Sequence, residues 1–395
     1  MRILYAISAM FPEGRAYASR ALNIAKSLLE KGNEIDIIAD YISDKKFLTA
    51  HKRANCFGIE VFLTFPRVSS ERSLFNRLFA PFCSVKNMKN YFKNHSPDIV
   101  ILSSAHDRFS KWYKFLKKKR VPIILENCEW FDYYNFHLGH FSFRYHQFKY
   151  CWNHLFTNVD GVISISRLIQ THFEDFNIPT IRIPGLCDSS FPSHFEQSKN
   201  YNKIKIVYEG DIYCGKEDIL SCIDAVSFAN PLNNIELHIF GPTLKNITKA
   251  YKKNIPENVF IYGFVSHDFL IKKMSEMHFG IIFRPNRKSS HAGFPTKLVD
   301  YFSQGLPVIS NDTGDIGLYL KNNFNGYLVH TINDLYRILC KTSIDFNAKT
   351  YEIMKKNALE TAKNNFNYSL FSDELLKFLN NIIKKKRLPR HEEKK

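Results

Sequence analysis

Short apolar runs alternate along this chain with stretches in which apolar positions return every three or four residues. Residues 2–8 read as a buried strand. Ala18, Ala21, Leu22, Ala25, Leu28 and Leu29 then recur at helical spacing until Lys31-Gly32 ends the helix, and residues 34–39 form the next strand. The loop Phe11-Pro12-Glu13-Gly14-Arg15 joins the first strand to that helix. The same order of strand, glycine loop, helix and strand returns over residues 278–311. There an apolar strand runs to Phe283, and a polar loop through His291-Ala292-Gly293 opens a helix with Leu298, Tyr301 and Phe302 on one face. Gly305 stops this helix, and Leu306-Pro307-Val308-Ile309 begins another strand. Further strands are expected at 98–102, 121–125, 161–166, 180–184, 203–209, 235–240, 258–262 and 326–329. Helices are expected at 167–176, after Glu217 and over 366–383. Strands alternating with helices predict parallel sheets flanked by helices.

Length and composition refine this picture. At 395 residues the chain suits two domains of ordinary size. Residues 193–202 are polar without periodicity, which places the linker there and gives domains of 1–195 and 196–365. Residues 366–395 supply a last helix, expected to cross back to the first domain, and a basic tail. No apolar run reaches the ~20 residues of a membrane span. The N-terminal apolar run is followed by Glu13-Gly14-Arg15 and an amphipathic helix, so it reads as a first core strand and not as a signal peptide. The eight cysteines are scattered with no Cys-x-x-Cys pair, which predicts reduced thiols in the cytoplasm and neither a disulfide framework nor a zinc site.

The net charge is +17, a field that attracts nucleic acid, anionic lipid or phosphorylated substrates. Lys and Arg interleave with aromatics from Phe75 to Arg120. That pattern suits a protein resting on an anionic bilayer, or equally a set of solvated helix faces with rings turned inward. Helix-turn-helix and ribonucleoprotein motifs are absent, so nucleic acid is not an expected partner.

A helix opening after a glycine loop leaves free backbone N–H groups that attract phosphate, and Lys297 and Asp300 stand within its first turns. These residues resemble the donor-binding signature of retaining glycosyltransferases of family 4. Gly305-Leu306-Pro307-Val308-Ile309 matches the family's Gly-x-Pro-Val-Ile turn. Pro295-x-Lys297-Leu298-x-x-Tyr301 matches a Pro-x-Lys-Leu-x-Glu-Tyr variant of enzymes that build cell-surface polysaccharide. Asp300 falls on the second Glu of the Glu-x7-Glu motif, which hydrogen-bonds the nucleotide ribose. More loosely, Pro184-Gly185-Leu186-Cys187-Asp188 resembles the family's exit from its first domain, and Gly326-Tyr327-Leu328-Val329 a strand near the end of its second.

The resemblance implies the GT-B fold: α/β, with two Rossmann-like doubly wound domains facing across a cleft. It implies transfer of a sugar, with retention, from a nucleotide-sugar donor to a growing cell-surface glycan of polysaccharide, capsule or O-antigen type. The acceptor is expected to be lipid-linked and the enzyme cytoplasmic, peripheral on an anionic inner membrane face. Gly14, Gly210, Lys216, Val265, Gly293, Phe294, Pro295, Thr296, Lys297 and Asp300 are the implied donor-binding residues. Catalytic candidates are Glu126 and Glu129, at the C-terminal end of a strand where family members carry a His-bearing segment. The chain departs from the family at three places. Cys128 stands where that His is expected, Asp211 where an Arg contacts the diphosphate, and Ala292 at the first Glu of the motif. These departures imply either a slow enzyme or an altered sugar contact, supplied by His291. No metal or cofactor is expected, the nucleotide sugar being a substrate. The alternatives are a non-catalytic GT-B module and a nucleotide-sugar 2-epimerase.

Overall fold

A computed structural model describes residues 1–13, 16–50, 52–65, 74–188, 201–212, 217–230 and 232–387. The chain divides into two compact units, Met1–Leu186 with Tyr368–Lys395, and Cys187–Asn367. The sequence set its boundaries at 195/196 and 365/366; the units divide at 186/187 and 367/368. Of the expected linker, residues 193–200 lie outside the described residues.

Among the described residues the main sheet of the first unit has nine strands: β1 (Arg2–Ala6), β2 (Glu34–Ala39), β3 (Leu48–Ala50), β4 (Arg53–Cys56), β5 (Ile59–Leu63), β6 (Ile99–Ser103), β7 (Ile123–Asn127), β8 (Gly161–Ser164) and β9 (Thr180–Arg182). They lie in the order β9-β8-β7-β6-β1-β2-β5-β4-β3. All neighbours are parallel except the β3–β4–β5 edge, which is antiparallel. That edge was not foreseen, because residues 48–63 mix charged and apolar positions too closely for a strand signal. The parallel strands are covered on both faces and so read as nearly unbroken apolar runs, every residue of β6 and β7 being buried. The described helices are α1 (Ala16–Leu29), α2 (Leu74–Asn94), α3 (Phe109–Lys119), α4 (Phe143–Tyr150) and α5 (Arg167–Glu174). On α3, Phe109, Trp112 and Leu116 share the inward face, while Lys117, Lys118 and Lys119 close its last turn.

The second unit holds six strands: β10 (Ile204–Glu209), β11 (Ile235–Phe240), β12 (Val259–Gly263), β13 (Phe279–Ile282), β14 (Val308–Asn311) and β15 (Gly326–Val329). Their order is β12-β11-β10-β13-β14-β15, all parallel. The order reverses between β10 and β13, and in a doubly wound sheet the ligand binds outside the strand ends at that point. The helices are α6 (Ile219–Phe228), α7 (Leu244–Tyr251), α8 (His267–Ser275), α9 (Lys288–Ala292), α10 (Thr296–Ser303), α11 (Ile316–Tyr319), α12 (Ile332–Ile344) and α13 (Ala348–Asn365). The loop expected before α10 thus contains the short helix α9. The helix expected over 366–383 resolves into a 3-10 turn, Tyr368–Phe371, and α14 (Ser372–Arg387). Leu375, Leu379, Ile382 and Ile383 of α14 join the core of the first unit.

Candidate active site

In the second unit three strands end side by side in glycines. The Gly210 N–H donates to the Phe240 carbonyl at 3.0 Å, and the Gly241 N–H to the Gly263 carbonyl at 2.8 Å. The backbone at Gly210 and Gly241 has φ of +145° and +108°, a region closed to most side chains. A Cβ at Gly241 would fall 2.1 Å from the Gly210 carbonyl oxygen, and one at Gly210 would fall 2.7 Å from Lys297 Nζ. The missing side chains therefore let the turns after β10 and β11 close on each other and let Lys297 lie across the first of them. The turn after β12 carries Val265 and the exposed Phe264, and Ser266 caps α8.

Next to these turns stands the N-terminus of α10. Among the described helices of this unit with eight or more residues, α6, α7, α8, α12 and α13 each have a side-chain cap on the first-turn amides. The extended residue before α10 is Pro295, which offers no such side-chain cap; its carbonyl accepts from the Leu298 N–H at 3.0 Å, and the Thr296 and Lys297 amides remain a site for an anion. Lys297 Nζ sits 2.7 Å from Glu217 Oε1 and 5.4 Å from the centre of the Tyr208 ring. Asp300, one turn on, is exposed. Glu209 is half-buried beside it; burial and the Asp300 carboxylate push the Glu209 carboxyl up to about 8. Its backbone N–H donates to the Tyr301 hydroxyl at 3.0 Å. One ammonium thus bonds Glu217 and acts on Glu209, whose carboxyl keeps its proton near neutrality. Among the described residues no cluster of His, Cys, Asp and Glu could hold a metal ion.

In the first unit Glu126, at the end of β7, is completely buried. It accepts hydrogen bonds from Arg20 Nε at 2.7 Å, from the Tyr5 hydroxyl at 2.5 Å and from the Tyr17 hydroxyl. Burial, reinforced by the Glu126 charge, holds both phenols well above their ordinary pKa, so they remain donors. Arg20 continues the network to the Pro184 carbonyl. The Cys128 thiol, 3.7 Å from Glu126, is likewise pushed up by burial and stays protonated. Glu129 is half-buried in the following loop, where its N–H donates to Asn127 Oδ1 at 3.1 Å.

Residues 18–184 match the family model described as Glycosyltransferase Family 4. Residues 221–376 match the C-terminal domain of glucosyltransferase 3-like proteins. Both matched stretches are glycosyltransferase domains, and the chain is a glycosyltransferase. Its fold is that of solved glycosyltransferases. Sucrose-phosphate synthase from Thermosynechococcus elongatus superposes with a TM-score of 0.74 at 12% identity, over 97% of this chain and 99% of that one. HepE from Anabaena, solved in complex with UDP-glucose, gives 0.64 at 15% identity, over 96% and 100%. WaaG, a glycosyltransferase involved in lipopolysaccharide biosynthesis, gives 0.65 at 12% identity, over 95% and 99%. No curated protein matches the chain in sequence.

The structure of this glycosyltransferase brings Gly210, Thr296, Lys297 and Asp300 together, whereas Gly14 and Lys216 lie outside the described residues. Phe294 turns inward against Tyr319 and Phe366, with ring centres 5.7 and 5.8 Å away, so its side chain is a packing residue. The Gly293 N–H donates to Ser289 and its carbonyl accepts from Arg284, so Gly293 shapes the loop with both backbone groups engaged. His291 accepts from the Gly314 N–H through Nδ1 at 3.1 Å and therefore donates through Nε2 to Asn286 Oδ1 at 2.6 Å. Both ring nitrogens hold the loop, which removes His291 as a sugar contact in this conformation. Glu126 is sealed from solvent, with both oxygens engaged by Arg20 and the two tyrosines.

Three contributors escaped the sequence reading: Glu217, Glu209 and Arg284. Buried Arg284 donates to the Ser290 carbonyl at 2.7 Å and the Gly293 carbonyl at 3.0 Å, fixing the loop that feeds α10. The available signal was Arg284 directly after an apolar strand, a position that usually begins a solvated loop.

Proposed function

We propose that this glycosyltransferase moves a sugar from a nucleotide donor, with retention, to a growing cell-surface glycan carried on a lipid. The reading rests above all on the uncapped N-terminus of α10 with Lys297 and Asp300 beside the Gly210 turn. The diphosphate takes the free amides and the Lys297 ammonium, and Asp300 accepts from the ribose hydroxyls. The turn carrying Val265 meets the base. Gly14 and Lys216 belong to the same donor set. As the bond between sugar and diphosphate breaks, negative charge grows on the leaving phosphate, and the fixed amides and Lys297 stabilise it with no metal. Glu129, the carboxylate after β7 with solvent access, takes the acceptor side.

The UDP-glucose bound by HepE supports a uridine nucleotide donor, and the lipopolysaccharide role of WaaG supports a lipid-borne acceptor. Losing one charge-assisted contact to a phosphate costs about 1.5–3 kcal/mol, which is roughly 10- to 100-fold in affinity. Calorimetric titration with UDP should show that loss in Lys297→Ala, and a clear loss in Asp300→Ala, with circular dichroism unchanged. Native affinity in both folded variants would refute the donor assignment.

A further inference from the structure

We propose that the turn at residues 137–143 and the start of α4 form a wedge that inserts into an anionic membrane surface. The proposal builds on the reading of a lipid-borne acceptor and names the part of this chain that meets the bilayer. The sequence pointed instead to Phe75–Arg120, of which Phe75 and Arg77 fall outside the described side chains. In that stretch Tyr91, Phe109 and Trp112 are buried in the core, and Phe79 and Phe82 are partly exposed, with Lys111 Nζ 4.6 Å from the Phe82 ring centre. A tighter group of exposed apolar side chains, including the most exposed ring among the described residues, stands further along the chain. Leu138, Phe141 and Phe143 are 61%, 91% and 74% exposed within six residues.

The backbone beneath them is firmly held. The Phe141 N–H donates to the Leu138 carbonyl at 3.0 Å and the Ser142 N–H to the Gly139 carbonyl at 3.1 Å. His146 Nε2 bonds the His140 carbonyl at 2.8 Å, and the His140 ring stacks on Tyr133 with centres 3.8 Å apart. Asp132 and Asn135 close a capping box just before the turn. These rings are thus displayed on a braced turn.

Chemistry selects the occupant. Phe and Leu have no polar atom with which to read a glycan, but they gain fully from hydrocarbon. No carboxylate occurs between Asp132 and Asp160, while Arg144 and Lys149 lie on α4 itself. Lys117, Lys118 and Lys119 end α3, which is tied to the same region by the Tyr113 hydroxyl donating to the Asn158 carbonyl at 3.0 Å. An apolar tip followed by a helix that carries cations and no carboxylate matches a bilayer with acidic headgroups. Among the described residues no helix is long and apolar enough to cross a membrane, so the contact is shallow.

The test is sedimentation of the full chain with phosphatidylcholine–phosphatidylglycerol vesicles at low salt, paired with UDP titration. The native chain should co-sediment, and Phe141→Ser/Phe143→Ser should cut the partition about 10-fold or more, since one buried Phe alone is worth that factor. UDP affinity should be unchanged. Phe141→Trp should add a component of indole emission that shifts to the blue with anionic vesicles. Arg144→Glu/Lys149→Glu should weaken binding while leaving the rings in place. Equal sedimentation of the native chain and the double Phe variant would overturn the wedge, as would a native chain that ignores anionic vesicles. If the double Phe variant instead loses only affinity for soluble oligosaccharide, or only self-association, the face is an acceptor platform or an interface between copies and the wedge is wrong. UDP binding reports on the donor site separately, so failure of the wedge and failure of the donor reading are distinguishable.

Discussion

Glu209 concentrates the electrostatics of the donor site in one residue. Its carboxyl is raised from 4.5 to about 8 by burial and by Asp300. The folded protein therefore holds this proton more tightly than the unfolded chain does. The associated stability is complete below pH 4.5 and is lost as pH rises towards about 8. Below that upper value neutral Glu209 can donate to Asp300. Above it, a further negative charge stands beside the diphosphate. UDP affinity measured by calorimetry across this range should fall on the alkaline side of pH 8, by at most about tenfold per pH unit for one proton. Glu209→Gln should flatten that fall, and a fall that persists unchanged would assign the proton elsewhere. Glu126 illustrates the other side of residue-level reading. A carboxylate at a strand end is a fair candidate for chemistry. What the sequence did not show was its partner Arg20, 106 positions away, at hydrogen-bond distance inside the core.

At the scale of elements, α10 depends on the loop before it. Pro295 offers the first turn no side-chain cap, and the approach to that turn is held by the Arg284 guanidinium on the Ser290 and Gly293 carbonyls. The Asn311 side chain braces Arg284 in turn, accepting from its N–H at 2.8 Å and donating to its carbonyl at 2.7 Å. Arg284→Met leaves two buried carbonyls without their donor. It should lower stability by about 2–4 kcal/mol in urea unfolding. UDP affinity should weaken even though Arg284 touches no part of the expected nucleotide. A variant with native stability would show that water replaces the guanidinium. The period of apolar positions found α10 and β14 readily. It missed α9, a five-residue helix too short for a period to register.

For the whole molecule, the two units differ in how the chain builds them. Residues 187–367 form one contiguous unit around their own core, whereas the first unit closes only with 368–395. Leu375, Leu379, Ile382 and Ile383 fill the first unit's core, and a Cβ at Gly161 would meet Phe378 at 2.9 Å, so β8 and α14 are in close contact. A fragment of residues 187–367 should unfold cooperatively on heating. A fragment of residues 1–186 should aggregate or lack a transition, and recover one when joined by a linker to 368–395. A cooperative transition in 1–186 alone would show that α14 is dispensable.

Local pattern determined a large part of this protein. Parallel strands covered on both faces must be largely apolar, so β1, β6, β7, β13 and β14 stand out in the sequence, and the glycines after β10 and β11 mark where backbone turns close together. The Gly-x-Pro-Val-Ile turn and Lys297 carried the family with them. Tertiary structure decided what spacing along the chain cannot encode: that Glu126 is paired with Arg20, that His291 has both nitrogens engaged, that Glu217 clasps Lys297, and that Phe109 and Trp112 of α3 face inward while Phe141 faces out. The physical reason is the same in each case. A charged or aromatic side chain takes its role from its neighbours and its share of solvent, and both are set by segments far away in sequence.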